Sequence, residues 1–361
     1  MIESPADPVG PLRPRVQHAL DEFLNLQRAA LEPVSADLLP LLDAATGLLR
    51  GGKRLRPAFC YWGWVAAGGS SDDEPIVTAA SALELFQAAA LVHDDVIDES
   101  DTRRGEPSVH QRFAARHREH GWRGDPDKFG RAAAILLGDL LLGWSDELLC
   151  QAGLDETALQ RARPVFELMR TEVGAGQYLD ILAQADVDSA APEQVKRAHQ
   201  VIVHKAARYT VVHPLALGGQ LARGSGEVLG AFSTYGSALG EAFQLRDDIL
   251  GVFGDPAVTG KPAGDDLREG KRTMLVAYAL ERADTVQARI IAELLGNPHL
   301  DDAGVHRLQE ILSDTGALGR VEARIDSLVE DAIAAIDQAT VTDDGRTALS
   351  HLVALTTARS H

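Results

Sequence analysis

Residues 75–100 read PIVTAASALELFQAAALVHDDVIDES, an apolar stretch that ends in a run of acids. Its apolar residues recur three and four positions apart, which predicts a helix with the acids at one end. On such a helix Asp94 and Asp98 lie one turn apart on the same face, and Asp95 lies about 100° round from Asp94. Stacked carboxylates at this spacing suit Mg²⁺, with water and phosphate oxygens completing its shell. The alternative is an acidic helix end exposed to solvent.

A second acidic cluster follows about 150 residues later, where residues 243–248 read FQLRDD. Asp247 and Asp248 are adjacent, but the residue one turn on is Gly251, which has no carboxylate. Basic residues follow both clusters: Arg103 and Arg104 after the first, Lys261 and Lys271 after the second. Acids followed by bases suit a polyphosphate bridged by divalent metal, because carboxylates hold the metal while Lys and Arg hold the remaining oxygens. For Asp247 and Asp248 alone, a buried or capping role is the local alternative.

Residues 51–57 read GGKRLRP, which places three bases within four positions after a glycine pair. Glycines let the backbone turn tightly and approach a ligand, and the N-terminus of a following helix offers N–H groups to an anion. Arg56 can grip a phosphate with two parallel hydrogen bonds, whereas Lys53 acts as a point charge. The pattern predicts an anion site, against the plainer alternative of a solvated basic loop.

The bulk composition narrows the class of ligand. The 361 residues carry a formal net charge of −18, which disfavours binding to nucleic acid or to anionic lipid head groups. There is no uninterrupted run of about 18 apolar residues to span a membrane, and the first twenty residues lack the apolar core of a signal peptide. Cys60 and Cys150 lie in apolar helical patterns and are expected to be buried, reduced thiols. We therefore expect a cytoplasmic protein.

Helix-forming residues dominate the whole chain. Ala and Leu prevail, aromatic residues make up 5%, and no strand-rich stretch stands out. The spacing predicts helices over 14–32, 37–49, 53–67, 75–100, 107–118, 128–150, 155–183, 192–221, 226–253, 272–296, 302–313, 318–338 and 344–358. No linker or short-period repeat divides the chain. The expectation is an all-α fold, with a flexible N-terminal segment over 1–13 and one large helical domain over 14–361.

In combination these motifs resemble the trans-type isoprenyl diphosphate synthases of the polyprenyl synthetase family, and among them geranylgeranyl diphosphate synthases. The likeness covers about residues 45–275 and rests on seven motifs in family order. They are GGKRLRP at 51–57, DDVID at 94–98, RRGEPSVH at 103–110, GD at 138–139, GQYLD at 176–180, FQLRDD at 243–248 and GKPAGDDLREGK at 260–271. Seven ordered matches are far more specific than any one of them. The resemblance implies a single large helical bundle of the isoprenoid synthase type with a central cavity.

The resemblance also implies a reaction, the Mg²⁺-dependent condensation of isopentenyl diphosphate with an allylic diphosphate. The allylic substrate would lose diphosphate, the double bond of isopentenyl diphosphate would attack the carbocation, and loss of a proton would leave a longer chain. Charged groups would stabilise the departing diphosphate, and an apolar cavity would protect the cation from water. The resemblance further implies about three Mg²⁺ ions and a homodimer.

Individual roles follow from the same resemblance. The metal ligands would be Asp94, Asp95, Asp98, Asp247 and Asp248. The allylic diphosphate would contact Arg103, Lys205 and Lys261, and isopentenyl diphosphate would contact Lys53, Arg56 and Arg104. Lys205 and Gln244 would lie beside the reacting carbons and, with Asp94 and Asp247, are the candidate catalytic residues. Lys271 is a further substrate-binding candidate, and Asp266 would steady Lys261 or its neighbours.

Three positions depart from the family pattern. Gln87 stands where a His usually helps to bind isopentenyl diphosphate, so it offers a hydrogen bond without a charge. Ala206 follows Lys205 where Thr or Ser is usual, and Gly251 replaces the third Asp of the second cluster. These changes bear on substrate affinity more than on reaction class.

The helix wall above the first cluster bears on product length. In the family this wall limits the growing tail, and the residues four and five before Asp94 are Ala90 and Ala89, both small. Phe86, eight before Asp94, is the candidate floor. One helical turn is about 5.4 Å, close to one isoprene unit, so we expect a product near twenty carbons, geranylgeranyl diphosphate. Farnesyl or longer products are the alternatives, and packing of both alanines in the helix interior is the competing interpretation.

Two rival functions share these motifs. A terpene cyclase has an aspartate-rich motif on the same scaffold, but its second metal site typically mixes Asn, Ser and Glu, and it needs no second diphosphate site such as residues 51–57. A non-catalytic subunit that regulates an active synthase usually lacks the first aspartate motif, which is intact here. The substitutions Gln87, Ala206 and Gly251 keep that second rival open.

Overall fold

The chain folds into helices packed around one long apolar helix. The computed structural model describes residues 7–103, 105–187, 189–255, 264–297 and 299–357. The α-helices are α1 (Leu12–Leu31), α2 (Leu39–Leu49), α3 (Leu55–Ala66), α4 (Glu74–Ile97), α5 (Val109–Glu119), α6 (Pro126–Cys150), α7 (Glu156–Ala185), α8 (Ala191–Val201), α9 (His213–Leu221), α10 (Gly226–Phe253), α11 (Asp265–Arg268), α12 (Met274–Arg282), α13 (Thr285–Leu294), α14 (Asp302–Asp314), α15 (Ala317–Asp337) and α16 (Asp343–Thr357). A 3₁₀ turn (Ala36–Leu38) precedes α2, and a π-helical segment (Ile202–Val212) joins α8 to α9. The all-α prediction is confirmed.

Strand structure within the described ranges is confined to one small hairpin. Strands β1 (Thr102–Arg103) and β2 (Glu106–Pro107) pair antiparallel, so that Arg103 faces Glu106 across the register. No strand signal in the sequence predicted this hairpin. It lies directly after α4 and turns Arg103 back towards the carboxylates at the end of that helix.

Helix α4 is the core of the domain. It packs against α1, α3 and α6, and its apolar side chains, among them Ile76, Leu83 and Val92, are buried. This helix is long and apolar enough to span a membrane by composition, but 67% of its most apolar window is buried inside the protein. Burial on this scale is typical of a core helix, and it explains why α4 is apolar on nearly every face.

The region predicted as one helix over 192–221 is helical throughout but not uniform. Its middle third is the π-helical segment, in which each turn is wider than in an α-helix. The segment packs between α7 and α10. Apolar spacing alone does not distinguish a π-helical turn from an α-helical one, which is why the sequence predicted a plain helix here.

Three other sequence predictions need correction. The helix predicted over 272–296 breaks at Asp284, whose side chain caps α13 by accepting from the backbone N–H groups of Val286 and Gln287, both at 2.8 Å. Part of the segment 1–13 is packed: Val9 is fully buried and α1 begins at Leu12. Cys150 is exposed because it ends α6, whereas Cys60 is buried as expected.

Candidate active site

Helices α3, α4, α7 and α10, together with the π-helical segment, enclose a cavity of about 740 Å³. Eleven of the candidate residues line it: Lys53, Arg56, Gln87, Ala90, Asp94, Arg103, Lys205, Gln244, Asp247, Asp248 and Lys271. The two acidic clusters therefore face a common hollow. The candidates Asp95, Asp98, Phe86 and Ala89 are described but do not line it, and Arg104 and Lys261 lie outside the described residues.

Asp94 is held at the cavity wall by three side chains. Gln177 Nε2 and Lys205 Nζ both donate to its Oδ1, at 2.9 and 3.1 Å, and Arg103 Nη2 lies 3.7 Å from its Oδ2. Burial on its own would raise the pKa of Asp94, but the positive charges of Lys205, Lys271 and Arg103 outweigh it and hold that pKa below the usual range. Asp94 is therefore ionised at neutral pH, the state that binds a metal.

Asp95 and Asp98 lie behind and beside Asp94. Arg103 Nε donates to Asp95 Oδ1 at 2.9 Å, while Asp95 Oδ2 is buried without a hydrogen-bond partner. Asp98 Oδ2 lies 3.9 Å from Lys271 Nζ. Burial, and then the charge of Asp94, raises the pKa of Asp98 to about 6. A cation bound beside these two carboxylates would relieve both conditions.

Lys205 joins the first cluster to helix α7. Its Nζ donates to Asp180 Oδ2 at 2.7 Å as well as to Asp94. Burial would lower the pKa of Lys205, but Asp94 and Asp180 raise it above its ordinary value, so the amine keeps its proton. The lysine reaches this position because Gly176 lets the backbones meet: a Cβ on Gly176 would lie 2.4 Å from the Lys205 nitrogen.

The second cluster is divided between an exposed and a buried acid. Asp247 is exposed at the cavity, whereas Asp248 is 6% exposed and accepts a hydrogen bond from Gln244 Nε2 at 2.8 Å. Burial raises the pKa of Asp248 to about 8, with further contributions from Asp266 and Asp247. Only Asp247 of this pair is thus readily available to a cation.

Asp266 occupies the space that a side chain at Gly251 would fill. A Cβ built on Gly251 would lie 1.9 Å from Asp266 Oδ2 and 2.5 Å from its Cγ. Asp266 belongs to α11, lines the cavity, and has its Oδ1 3.4 Å from Lys271 Nζ. The second cluster therefore contains three carboxylates after all, the third supplied by a different helix. Whether Asp266 steadies Lys261 or its neighbours stays a prediction, because Lys261 lies outside the described residues.

Lys53 and Arg56 also line the cavity, from the loop before α3 and the first turn of α3. Arg56 Nη2 donates to Thr210 Oγ1 at 2.9 Å, and the guanidinium lies 4.0 Å from the centre of the Tyr209 ring. Arg56 Nε is buried without a partner, as is Gln87 Oε1 on the facing wall. Such orphaned polar atoms in a cavity are typical of a site that completes its hydrogen bonds with a ligand.

The apolar part of the wall separates the three chain-length candidates. Ala90 lines the cavity with its neighbour Leu91, whereas Ala89 is fully buried in the packing of α4. Phe86 is also buried, and its ring packs edge-on against Phe166 and Tyr209, at 6.4 and 5.5 Å between ring centres. Only Ala90 of the three contacts the open space, so the geometry favours it as the residue that bounds a tail.

Several residues that hold the site together have no role predicted from the sequence. Gln177 and Asp180 fix Asp94 and Lys205, and Tyr209 and Thr210 fix Arg56. Gln177 and Asp180 stand three apart within the GQYLD motif, a spacing that places both on one helix face and signals a shared role. Thr210 has no comparable signal, because its partner lies 154 positions away in the chain.

The carboxylates suit a divalent metal ion whose remaining ligands are water and the phosphate oxygens of a substrate. Among the described residues, no three acids, histidines or cysteines converge into a metal cage. Mg²⁺ is rarely held by such cages, because it keeps several waters and is bound through one or two carboxylates plus substrate phosphates. Ionised Asp94, exposed Asp247 and the unpartnered oxygen of Asp95 provide that kind of donor set, and the nearby lysines and arginines suit the phosphates.

Comparison with known proteins gives a consistent result. The polyprenyl synthetase family model matches residues 40–312. A geranylfarnesyl diphosphate synthase of Aeropyrum pernix is 32% identical over 323 residues, 88% of this chain and 90% of that protein. A geranylgeranyl diphosphate synthase of Saccharolobus solfataricus is 34% identical over 264 residues, 73% of each chain. A crystal structure of geranylgeranyl pyrophosphate synthase from Corynebacterium glutamicum, complexed with isoprenyl diphosphate and magnesium, superposes with a TM-score of 0.93 at 40% identity, covering 98% of this chain and 99% of that one.

The fold, the site and these matches define a chain-elongating prenyltransferase, an isoprenyl diphosphate synthase of the trans type. The chain belongs to the polyprenyl synthetase family. This confirms the sequence-based assignment of family, fold and reaction class.

Proposed function

We propose that the protein condenses isopentenyl diphosphate with allylic diphosphates in the cytoplasm, with geranylgeranyl diphosphate as the main product. The observation that carries this proposal is the presence of two carboxylate clusters and a separate basic loop around one cavity. One diphosphate would lie between Asp94 and Asp247, and the other would lie against Lys53 and Arg56. An enzyme that binds a single diphosphate does not need the second site at Lys53 and Arg56.

The allylic diphosphate is proposed to bind between the two clusters. Three Mg²⁺ ions would neutralise its charge as it leaves, held by Asp94, Asp95, Asp98 and Asp247. Asp248, whose pKa burial raises to about 8, would not be a direct ligand. Arg103, Lys205 and Lys271 would hold the remaining oxygens, and Lys205 keeps its charge because Asp94 and Asp180 flank it. Positive groups fixed in place before the reaction stabilise developing negative charge at little cost in reorganisation.

The bond changes follow from this placement. The allylic carbon–oxygen bond breaks and its electron pair leaves with the diphosphate. The double bond of isopentenyl diphosphate supplies the pair for the new carbon–carbon bond, and a proton passes from that substrate to the departed diphosphate. Gln244 and Lys205 are proposed to lie beside the reacting carbons, and Arg56 and Lys53 to hold the attacking substrate in line.

A twenty-carbon product is supported by the wall of α4. Ala90 leaves room beside the first carboxylate cluster, while buried Phe86 packs edge-on against Tyr209, which itself lines the cavity. A twenty-five-carbon product is the second candidate, because the Aeropyrum pernix relative is named a geranylfarnesyl synthase. The depth that the tail reaches beyond Ala90 decides between them.

Incubation with Mg²⁺, labelled isopentenyl diphosphate and each allylic primer in turn tests the proposal. Linear products that grow by five carbons and accumulate at twenty are the expected result. No elongated product with any primer would favour the regulatory-subunit alternative, and a cyclic hydrocarbon would favour a cyclase. Accumulation at fifteen or twenty-five carbons would overturn the product length alone.

A homodimer is proposed to form through α6 and α7. Ion pairs link these helices: a carboxylate oxygen of Asp146 on α6 lies 3.7 Å from the guanidinium of Arg163, and the other lies 3.3 Å from that of Arg170, both on α7. Six large apolar side chains are exposed on the two helices: Phe129, Ile135, Leu136, Leu168, Tyr178 and Ile181. Exposed apolar groups concentrated on neighbouring helices mark interaction surfaces, and two-fold pairing of identical subunits is the commonest way to cover them.

The dimer can be tested by sedimentation of the protein and of Leu168→Glu, which places a charge on the exposed face of α7. We expect a dimer for the parent chain and a monomer for the variant. Val286→Glu, at an exposed apolar residue on α13, is the control and should leave the dimer intact. A parent chain that sediments as a monomer at micromolar concentration would contradict this surface assignment.

A further inference from the structure

Arg54 differs from the two bases that flank it. Lys53 is exposed and Arg56 is half-buried at the cavity, but Arg54 is 4% exposed. Its guanidinium donates to the carboxylate of Glu84 on α4, to the carbonyl of Leu49 at the end of α2, and to Gln17 Oε1 on α1 at 2.7 Å. One side chain thus ties the basic loop to three helices.

The backbone of this loop is held in an unusual conformation. Gly51, Gly52 and Arg54 have φ values of 69°, 90° and 53°, all in the left-handed region. The two glycines adopt it freely, whereas a residue with a Cβ is strained there and persists only when surrounding contacts determine it. The contacts that do so at Arg54 are those of its own guanidinium.

Arg54 also determines where α3 begins. Its carbonyl accepts the hydrogen bond from Ala58 N at 3.1 Å, the first backbone bond of the helix. Arg56 lies in that first turn, and its guanidinium contacts Thr210 and the Tyr209 ring. A change of backbone conformation at Arg54 therefore moves Lys53 and Arg56 together.

We propose that Arg54 is a positioning residue: through its buried pair with Glu84 it holds the loop so that Lys53 and Arg56 can grip isopentenyl diphosphate. This inference rests on the proposed function, since it concerns how that site is held. The alternative is that Arg54 is itself a phosphate ligand, because both Arg54 and Glu84 border the cavity.

Glu84→Gln separates the two interpretations by the sign of its effect. If Arg54 positions the loop, loss of the charged partner loosens the loop, and KM for isopentenyl diphosphate rises about tenfold to a hundredfold, as for displacements of about 1 Å. KM for the allylic substrate should stay within about twofold, because removed ground-state binding at one site changes one KM. If Arg54 binds phosphate directly, Glu84→Gln frees its charge, so KM for isopentenyl diphosphate falls or does not change, and the proposal fails.

A pair of backbone variants gives a second test. Arg54→Gly and Arg54→Ala both remove the guanidinium, but glycine accepts a φ of 53° without strain. Positioning by the backbone predicts that Arg54→Gly retains the lower KM for isopentenyl diphosphate and the higher melting temperature of the two. Equal KM values for the two variants, or a lower KM for Arg54→Ala, would overturn it.

Two controls keep these outcomes distinct from general damage. Asp43→Asn breaks the more exposed pair that Asp43 forms with Arg28 between α1 and α2, and should change neither KM. Titration of each folded variant with inorganic diphosphate by calorimetry reports binding without turnover, and Glu84→Gln should bind it more weakly than the parent chain. An inactive parent chain would count against the proposed function, whereas an active one with an unchanged Glu84→Gln variant counts only against this inference.

Discussion

The two carboxylate clusters border the same cavity, yet they are built differently. The first is carried by α4 alone, where Asp94, Asp95 and Asp98 follow one another along its last turn. The second is assembled from α10 and α11, because Gly251 leaves room for Asp266 to reach in from the other helix. A set of three carboxylates can therefore be completed either by helical spacing or by an aspartate from a neighbouring helix that fills the space beside a glycine.

The clusters also differ in charge at neutral pH. Lysine and arginine side chains contact the first cluster and keep the pKa of Asp94 low. Asp248 in the second has a glutamine as its hydrogen-bond partner, and burial raises its pKa to about 8. The first wall thus presents an ionised carboxylate surrounded by cations, and the second presents Asp247 in front of an acid that tends to stay protonated.

The largest predicted effect is a loss of kcat, and it should be much greater for a substitution in the first cluster than for one at Asp248. Asp94→Asn should lower kcat by about 10³-fold, the scale for losing one preorganised charge contact in a transition state. Asp248→Asn should lower it far less, by about tenfold or below, because a buried acid that holds its proton resembles an amide. Steady-state rates at saturating Mg²⁺ measure both. Asp127→Asn, at an exposed acid on α6, serves as the control. Equal losses at Asp94 and Asp248 would remove the distinction.

The next largest loss of activity is expected at Asp266, which supplies the carboxylate that Gly251 lacks. Asp266→Gly should reduce kcat by about 10- to 100-fold if its carboxylate completes the second cluster. The double variant Gly251→Asp/Asp266→Gly returns a carboxylate to α10 and should recover part of that loss, a coupling that independent sites do not show. The melting temperature in Mg²⁺ and inorganic diphosphate should follow the same order. If kcat of the double variant is no higher than that of Asp266→Gly, Asp266 does not take the place of a carboxylate at position 251.

Product length also distinguishes the two clusters, because the proposed tail channel continues along α4, which carries the first cluster. Ala90→Phe places a ring in the cavity beside Asp94 and should shorten the main product by about one isoprene unit, the length of a helical turn. Ala89→Phe instead overpacks a fully buried position, at a cost in stability of about 1–3 kcal/mol. Chromatographic sizing of products and thermal melts distinguish the two. Unchanged product length in both variants would show that another helix forms the floor.

Much of the fold could be predicted from the sequence, because local signals decide it. Apolar spacing located α4 and its acidic end, and seven ordered motifs indicated the family. Contacts between distant residues were not predictable in this way. The spacing that shows Gly251 lacking a carboxylate says nothing of Asp266, since that contact depends on how α11 packs on α10. The burial of the Arg54 side chain was not predictable for the same reason. Its neighbours in the sequence are those expected around a solvated base.

The π-helical segment is a second feature that could not be predicted from the sequence. Residues 202–212 have the composition of an ordinary helix, yet they form the wider π-helical turn, packed against both α7 and α10. The motif glycine Gly176 was visible in the sequence, but its use, a close approach of α7 to the backbone of Lys205, was visible only in three dimensions. Side chains could be predicted as members of a site, whereas the contacts that position them could not.

The smallest expected effect concerns how stability depends on pH, and it separates the clusters without any catalysis. A carboxyl whose pKa is higher in the folded protein than in the unfolded chain holds a proton that the unfolded chain releases. Its contribution to stability is complete below the unfolded value of 3.8 and is lost as pH rises through the folded value. For Asp98 that window ends near pH 6, and for Asp248 it ends near pH 8.

Melting temperatures in a chelator between pH 5 and 8.5 test these windows. Relative to the parent chain, Asp248→Asn should gain stability steadily up to about pH 8, because Asn cannot ionise and can still accept from Gln244. Asp98→Asn should gain only up to about pH 6 and then run parallel to the parent chain. A gain of 1 kcal/mol corresponds to only about 2–4 °C in a domain of 150–250 residues, and to less in a longer chain such as this one. Parallel curves for Asp248→Asn and the parent chain between pH 6 and 8 would show that the second cluster is ionised like the first, and the electrostatic contrast between the two walls would be lost.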